Sequence, residues 1–333
     1  MRRRVPCQRG RTAPDSEDPR GRCADIGFQS TADLLASGLL PVACFVGAGY
    51  LLARRLKVDL HPVARVALYI FSPSLVLSTL SSPGLSLTDG LGIAGYAGIM
   101  VVVALLLSSA AGRAIAVEDA DRASLRLAAV FPNSANLGLP IVAFALGGAS
   151  LKAAVIFVLT QIVLINTVGA YVASRAHVRP GQALRRVLGL PSIWAMAFSV
   201  VPVAAHGALP PPVERAFRFG ADAYAPTVLV VLGGSLAAWR PSHLTSAVPW
   251  TAAGLRLLIM PALGWALALV LRLPAPVGAA VILQTSMPMA VNTLVLAQEF
   301  RAGADRVAGL VGLTTSAALL TVPLWLITVS RFW

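Results

Sequence analysis

"PNSANLGLPIV", residues 132–142, decides how this chain is read. It lies inside an apolar run, yet it holds Asn133, Ser134, Asn136, Gly138 and Pro140. Pro140 has no N–H to give the carbonyl of Asn136, and its ring crowds that turn. Gly138 adds space and conformational freedom. A helix over this stretch is therefore expected to open between about 133 and 140. In lipid, freed backbone groups must find protein partners or a water-lined cavity. Asn133, Ser134 and Asn136 supply donors and acceptors for both.

A second stretch has the same character. "QTSMPMAVNTLVLAQEF", residues 284–300, carries Pro288 and Asn292, with Gln284, Thr285, Ser286 and Thr293 nearby. If two such broken helices cross, their half-helix N-termini converge. Each N-terminus presents free N–H groups and partial positive charge. With asparagine amides beside them, the crossing becomes a site for an anion, most simply a carboxylate. The plainer reading is that the prolines kink and the asparagines bond neighbouring helices.

The surroundings fit a membrane. Of 333 residues, 57% are hydrophobic and 12% charged, with mean hydropathy +0.76. A soluble chain carries about 25% charged residues. The formal charge of +13 does not point to nucleic acid. The cations sit at helix ends and in the N-terminal tail, as in membrane proteins. Of the 27 cations only Lys57 and Lys152 are lysines; this arginine bias fits a prokaryotic gene and a bacterial inner membrane. Cys7, Cys23 and Cys44 form no metal-type pair, and His61, His177, His206 and His243 fall near expected loops. Neither metal nor cofactor is expected. With no Ser/His/Asp cluster and no phosphate-binding GxxxxGK[ST], an enzyme is not expected either.

Residues 1–32 read as a polar, disordered tail without the apolar core of a signal peptide. Ten apolar segments follow, at roughly 33–53, 61–81, 89–111, 124–147, 151–174, 188–206, 216–239, 250–271, 276–298 and 305–330. About 20 residues suffice for each crossing. The loops after spans 1, 3, 5, 7 and 9 hold 15 cations, and the opposite set with the C-terminus holds 5. The first set should be cytoplasmic, leaving both termini outside; seven arginines of the tail run against this. Pro73 and Pro226, Pro140 and Pro288, and Pro41 and Pro191 recur at offsets of 153, 148 and 150. That spacing suggests two five-helix halves, 33–174 and 188–333, joined by a short cytoplasmic connection, 175–187. Five is odd, so the second half is inverted, as in many secondary transporters.

"PNSANLGLPIV" with "MPMAVNTLVLAQEF" resembles the auxin efflux carrier family, which includes the plant PIN auxin exporters and bacterial malonate- or malate-permease-like carriers. "TTSAALLTVPLWLIT", residues 314–328, is similar to that family's last helix. The resemblance covers about 34–330. It implies an all-α integral membrane fold of ten helices in two inverted repeats, with helices 4 and 9 crossing at their prolines. It implies a scaffold of helices 1, 2, 6 and 7, a moving part of helices 3–5 and 8–10, homodimers, and carboxylate binding at the crossing. Asn133, Asn136 and Asn292 are then the leading site residues, with Ser134, Gly138, Pro140, Pro288 and Thr293 around them. The plant exporters carry proline at the place of Asn292 and a long loop after helix 5, so regulation through that loop does not extend to this chain.

Other polar residues are weighed alongside. Ser74 and Tyr224 flank prolines on the scaffold side, while Gln161, Gln284, Thr314 and Thr315 lie within reach of the crossing. Ser or Thr hydroxyls more often bond their own helix. Asp222 is a candidate for a coupling proton, although pairing with Arg218 one turn earlier is the more ordinary role. Arg65, Arg126 and Arg256 are expected to snorkel to the cytoplasmic surface. The function expected is a secondary carrier of a small organic anion, a mono- or dicarboxylate or auxin-like weak acid, working by elevator-type alternating access. A sodium-coupled symporter of the bile-acid type and a non-transporting ligand sensor are the alternatives.

Overall fold

The computed structural model describes residues 31–81, 87–173, 210–238, 246–300 and 303–333, together with 185, 188, 189, 191, 193–195, 197 and 198. Nearly all of the 1–32 tail, the 175–187 connection and most of the sixth span lie outside the described residues. Within them, helices fill the first to fifth and seventh to tenth expected spans, and no extended strand occurs.

The first span is α1 (Thr31–Arg55). The second is α2 (His61–Val66) and α3 (Ser72–Leu80), joined by a wide π turn, Ala67–Phe71. The third is α4 (Leu87–Ala114). The fourth breaks into α5 (Asp119–Val130), an extended linker, a π turn (Ser134–Gly138) and α6 (Leu139–Ala145). The fifth is α7 (Gly148–Leu164), a π turn (Ile165–Gly169) and α8 (Ala170–Ala173). The seventh is α9 (Pro211–Ala238). The eighth is α10 (Ala247–Gly254), a π turn (Leu255–Ile259) and α11 (Met260–Val270). The ninth breaks into α12 (Ala275–Thr285) and α13 (Asn292–Glu299), and the tenth is α14 (Ala304–Phe332).

Six of these segments, Pro62–Leu80, Thr88–Ala114, Gly148–Ala173, Pro211–Ala237, Ala247–Val270 and Ala304–Phe332, are long and apolar enough to cross a membrane. The pieces Ser134–Ala145 and Ala275–Thr285 are apolar but too short to cross singly. Large apolar side chains such as Leu106, Val270, Leu320 and Leu324 face outward. In water that would be costly; lipid is the solvent such faces need.

The wide turns have readable causes. Three end two residues before a proline: Phe71 before Pro73, Gly138 before Pro140, and Ile259 before Pro261. The proline lacks the N–H that would close the preceding turn, and the chain takes up an extra residue there. The fourth has no proline. There Asn166 Nδ2 donates to the Ile162 carbonyl at 2.8 Å, and Thr167 Oγ1 to the Val163 carbonyl at 2.8 Å. Side chains that occupy i−4 carbonyls loosen the backbone ladder.

The proline pairs of the sequence are not alike locally. Pro73 follows a π turn, whereas Pro226 lies inside the continuous helix α9. Pro288 lies in an extended crossing, whereas Pro140 is the second residue of α6. What the two broken spans share is the order helix, extended linker, helix.

Helices α1 and α9 pack along one another with backbones in contact. A Cβ on Gly49 would lie 2.0 Å from the Val230 carbonyl oxygen, and one on Gly233 would lie 2.0 Å from that of Val46. Glycines permit this approach, and close backbone packing holds helices together where lipid is as apolar as the side chains. Gly49→Leu or Gly233→Leu should each cost about 2–3 kcal/mol through forced separation. The check is a lower unfolding temperature of the protein in detergent, with Gly47→Leu as the control, since nothing lies within 4 Å of a Cβ there.

Candidate functional site: the crossing of the two broken spans

The fourth and ninth spans meet through their extended linkers. Pro132 and Met289 form an antiparallel bridge. The Asn133 N–H donates to the Pro288 carbonyl at 2.7 Å, and the Ala290 N–H to the Phe131 carbonyl at 2.8 Å. Each linker thus satisfies the backbone of the other. Thr314 of α14 supports the pair by accepting the Met289 N–H at 3.2 Å. The opening falls earlier than expected. The chain leaves the helix at Phe131, turns at Asn133, and 134–138 is already helical, though wide. Pro140 has a tolerated place near a helix start, so the break migrates to where a partner linker exists.

Four half-helix ends surround the crossing. The C-terminal ends of α5 and α12 carry carbonyls without intrahelical donors and partial negative charge. One side chain serves both. Arg256, in the π turn of the eighth span, is 1% exposed. Its NH1 donates to the Ala129 carbonyl at 2.7 Å and more weakly to that of Val130, and its NH2 donates to the Thr285 carbonyl. The expectation that Arg256 snorkels is therefore corrected: it reaches inward because two helix ends offer it acceptors. Arg126 is held by Ser109 Oγ at 3.2 Å, while Arg65 is exposed. Arg256 and the buried Lys152 both leave the loop count, which becomes 14 against 4.

The N-terminal ends of Ser134–Gly138 and of α13 border a cavity. It holds about 620 Å³ and is lined by Tyr69, Asn136, Asn166, Tyr224 and Asn292 among apolar residues. A narrow extension of about 40 Å³ reaches into the crossing between Asn133, Ser134, Gln161 and Asn292. Asn133 is 3% exposed and Gln161 8%. Asn133 Nδ2 and Gln161 Oε1 have no hydrogen-bond partner in the protein. A buried amide N–H without an acceptor is costly and rare. Here the unpaired groups border space that a small polar ligand or water can enter.

The remaining sequence candidates separate. Ser134 Oγ donates to the Pro132 carbonyl at 3.1 Å and Thr293 Oγ1 to the Ala290 carbonyl at 2.5 Å, so both hydroxyls are spent on the crossing. Pro288 contributes its carbonyl, and Pro140 is buried in α6. Gly138 faces Gln284: a Cβ there would lie 2.0 Å from Gln284 Oε1 and 3.0 Å from Met287 Cγ. Gln284 is fully buried behind the crossing with both amide atoms unpaired, away from the cavity. Ser74 Oγ donates to the Ile70 carbonyl at 2.7 Å. Thr315 lines an apolar groove beside α1 instead of the cavity, next to Val42, Leu137 and Leu319. Tyr224 OH donates to the Ala135 carbonyl at 3.3 Å and walls the cavity. Asp222 lies beyond Tyr224 in a separate cavity, and no ion pair joins it to Arg218.

Arg256 and Lys152 are what sequence reasoning missed. The signal for Arg256 was an arginine well inside an apolar span, five residues before Pro261. Removing it as Arg256→Met should destabilise the fold by about 3 kcal/mol, because carbonyls at two buried helix ends lose a charged donor. Arg256→Lys should lie between, since one ammonium cannot fork to both ends. Unfolding temperatures of the three proteins in one detergent check this order.

Residues 34–326 match the membrane transport protein family. A relative described as an uncharacterized transporter, from Methanothermobacter thermautotrophicus, is 24% identical over 280 residues, covering 80% of this chain and 88% of its own length. The family match spans the broken spans, the crossing and both cavities. This multi-pass helical chain belongs to the membrane transport protein family, in which the auxin-efflux-type carriers stand.

Proposed function

We propose that the protein is a secondary carrier of a small organic anion, with a carboxylate bound at the crossing. One observation carries the reading. The donor Asn133 Nδ2 is buried without an acceptor, beside two half-helix N-termini and a cavity. That donor calls for an acceptor-rich ligand, and a carboxylate offers about four lone-pair sites, while Gln161 Oε1 in the same extension can accept from a water bound with it. The negative helix ends are already occupied by Arg256. What is left facing the cavity, beside the Gln161 amide oxygen, is the positive potential of the two helix N-termini.

The antiparallel bridge between the two linkers supports two inverted five-helix repeats, since an inverted pair meets its counterpart head to tail. Helix α9 packs on α1 and α3, while α7 packs on α12 and α4. That division supports a scaffold of spans 1, 2, 6 and 7 and a moving part of spans 3–5 and 8–10. The cavity lies along their boundary, and a second cavity lies beyond Tyr224. Alternating access would carry the crossing from one to the other in an elevator-type movement. The charge bias of the loops supports cytoplasmic odd-numbered loops and outward termini. In this orientation the Asn136–Asn292 cavity opens to the cytoplasm. A homodimer in the cell membrane completes the reading.

Stabilisation by ligand tests it. A ligand bound only to the folded state raises the unfolding temperature as its concentration passes its Kd. Acetate, malonate, succinate, citrate and indole-3-acetate should be compared at constant ionic strength, with and without sodium. At least one should stabilise the wild type. The shift should weaken in Asn133→Ala and Asn292→Ala, both still folded. Variants that respond as the wild type does would return the asparagines to helix–helix bonding.

A further inference from the structure

The cavity beyond Tyr224 has its own charges. It also holds about 620 Å³, and it is bounded by the end of α3, by α6, by the first turns of α7 and by the first half of α9. Tyr224 lines both cavities, and its bond to the Ala135 carbonyl stands between them. Three charged side chains face the second cavity: Lys152 on α7, and Arg218 and Asp222 on α9.

Lys152 is the decisive group. It is 7% exposed, and no hydrogen bond or ion pair holds it. Its stem is packed on the cavity wall, while its ammonium opens to the cavity and has no partner in the protein. Asp222 shares the cavity yet is not within ion-pair distance of it or of Arg218. Two cations against one acid leave the cavity net positive by one charge.

We infer that this cavity is a second carboxylate-binding site, with the Lys152 ammonium as the central ligand of the anion and Arg218 as a second donor at its rim. The inference rests on the carrier reading for its role and extends it with residues outside the crossing. Lys152 belongs to α7, which packs with the crossing on α12, whereas Arg218 and Asp222 belong to α9, which packs on α1. A carboxylate held here touches both sides of the boundary.

The test uses the full-length protein in detergent, with malonate as probe and chloride holding ionic strength constant. Half-saturating malonate for thermal stabilisation is compared in the wild type, Lys152→Gln, Lys152→Arg, Arg218→Gln and the crossing variants Asn136→Ala and Asn292→Ala. The expected result is a rise of about tenfold or more in Lys152→Gln, a smaller rise in Arg218→Gln, and recovery in Lys152→Arg. Malonate should also slow alkylation of Lys152→Cys, made with Cys7, Cys23 and Cys44 replaced by serine, and Asn292→Ala should retain that protection. Unchanged malonate response in Lys152→Gln, with no protection of the cysteine, overturns the second site. If that result comes with loss of response in the asparagine variants, the crossing stands alone. If Lys152→Gln loses the response while the asparagine variants keep it, the second site stands and the crossing reading fails. No response to malonate, acetate, succinate or citrate in any protein overturns both.

Discussion

Everything in this fold depends on how two interrupted helices are allowed to stop inside an apolar body. A helix end exposes four backbone groups, and here four ends meet in one place. The two linkers solve part of the problem by bonding to each other as a minimal antiparallel pair. Arg256 solves the rest. Its fork reaches the carbonyls of Ala129 and Thr285, which close α5 and α12. The result is a polarised crossing: the negative ends are held by a resident cation, and the positive ends face space.

Much of this was legible because proline, glycine and asparagine inside an apolar run have few reasons to be there. The existence of both interruptions followed from residue chemistry. Their position did not. Pro140 marks a wide turn in the following half-helix, and the true opening lies where Phe131 and Asn133 meet Pro288 and Ala290. A linker chooses its place by the partner backbone, which leaves no mark in either sequence.

The side chains show the same division. Thr314 and Thr315 look equivalent in sequence, yet one helical step of about 100° sends the first to the Met289 N–H and the second to a groove against α1. Gln284 lies behind the crossing, against Gly138. Arg256 read as a surface anchor because its acceptors are carbonyls, which every residue has. Tyr224 is a case where type and place agree: an aromatic with a polar tip suits a wall between two cavities.

The wide turns carry a consequence for how this sequence tolerates change in length. A π turn is an α-helical turn holding one residue more than it needs. Deleting a single residue within Ala67–Phe71 or Leu255–Ile259 would return that span to a regular helix instead of breaking it. The side chains on either side would keep their faces, because the extra residue is absorbed within the one wide turn. At Leu255–Ile259 only the residues of the turn itself would be re-aimed, and Arg256, which joins two helix ends, is one of them. Changes of one residue in length, usually confined to loops, thus have four addresses inside the spans themselves, where they are absorbed within a turn instead of being passed along the helix.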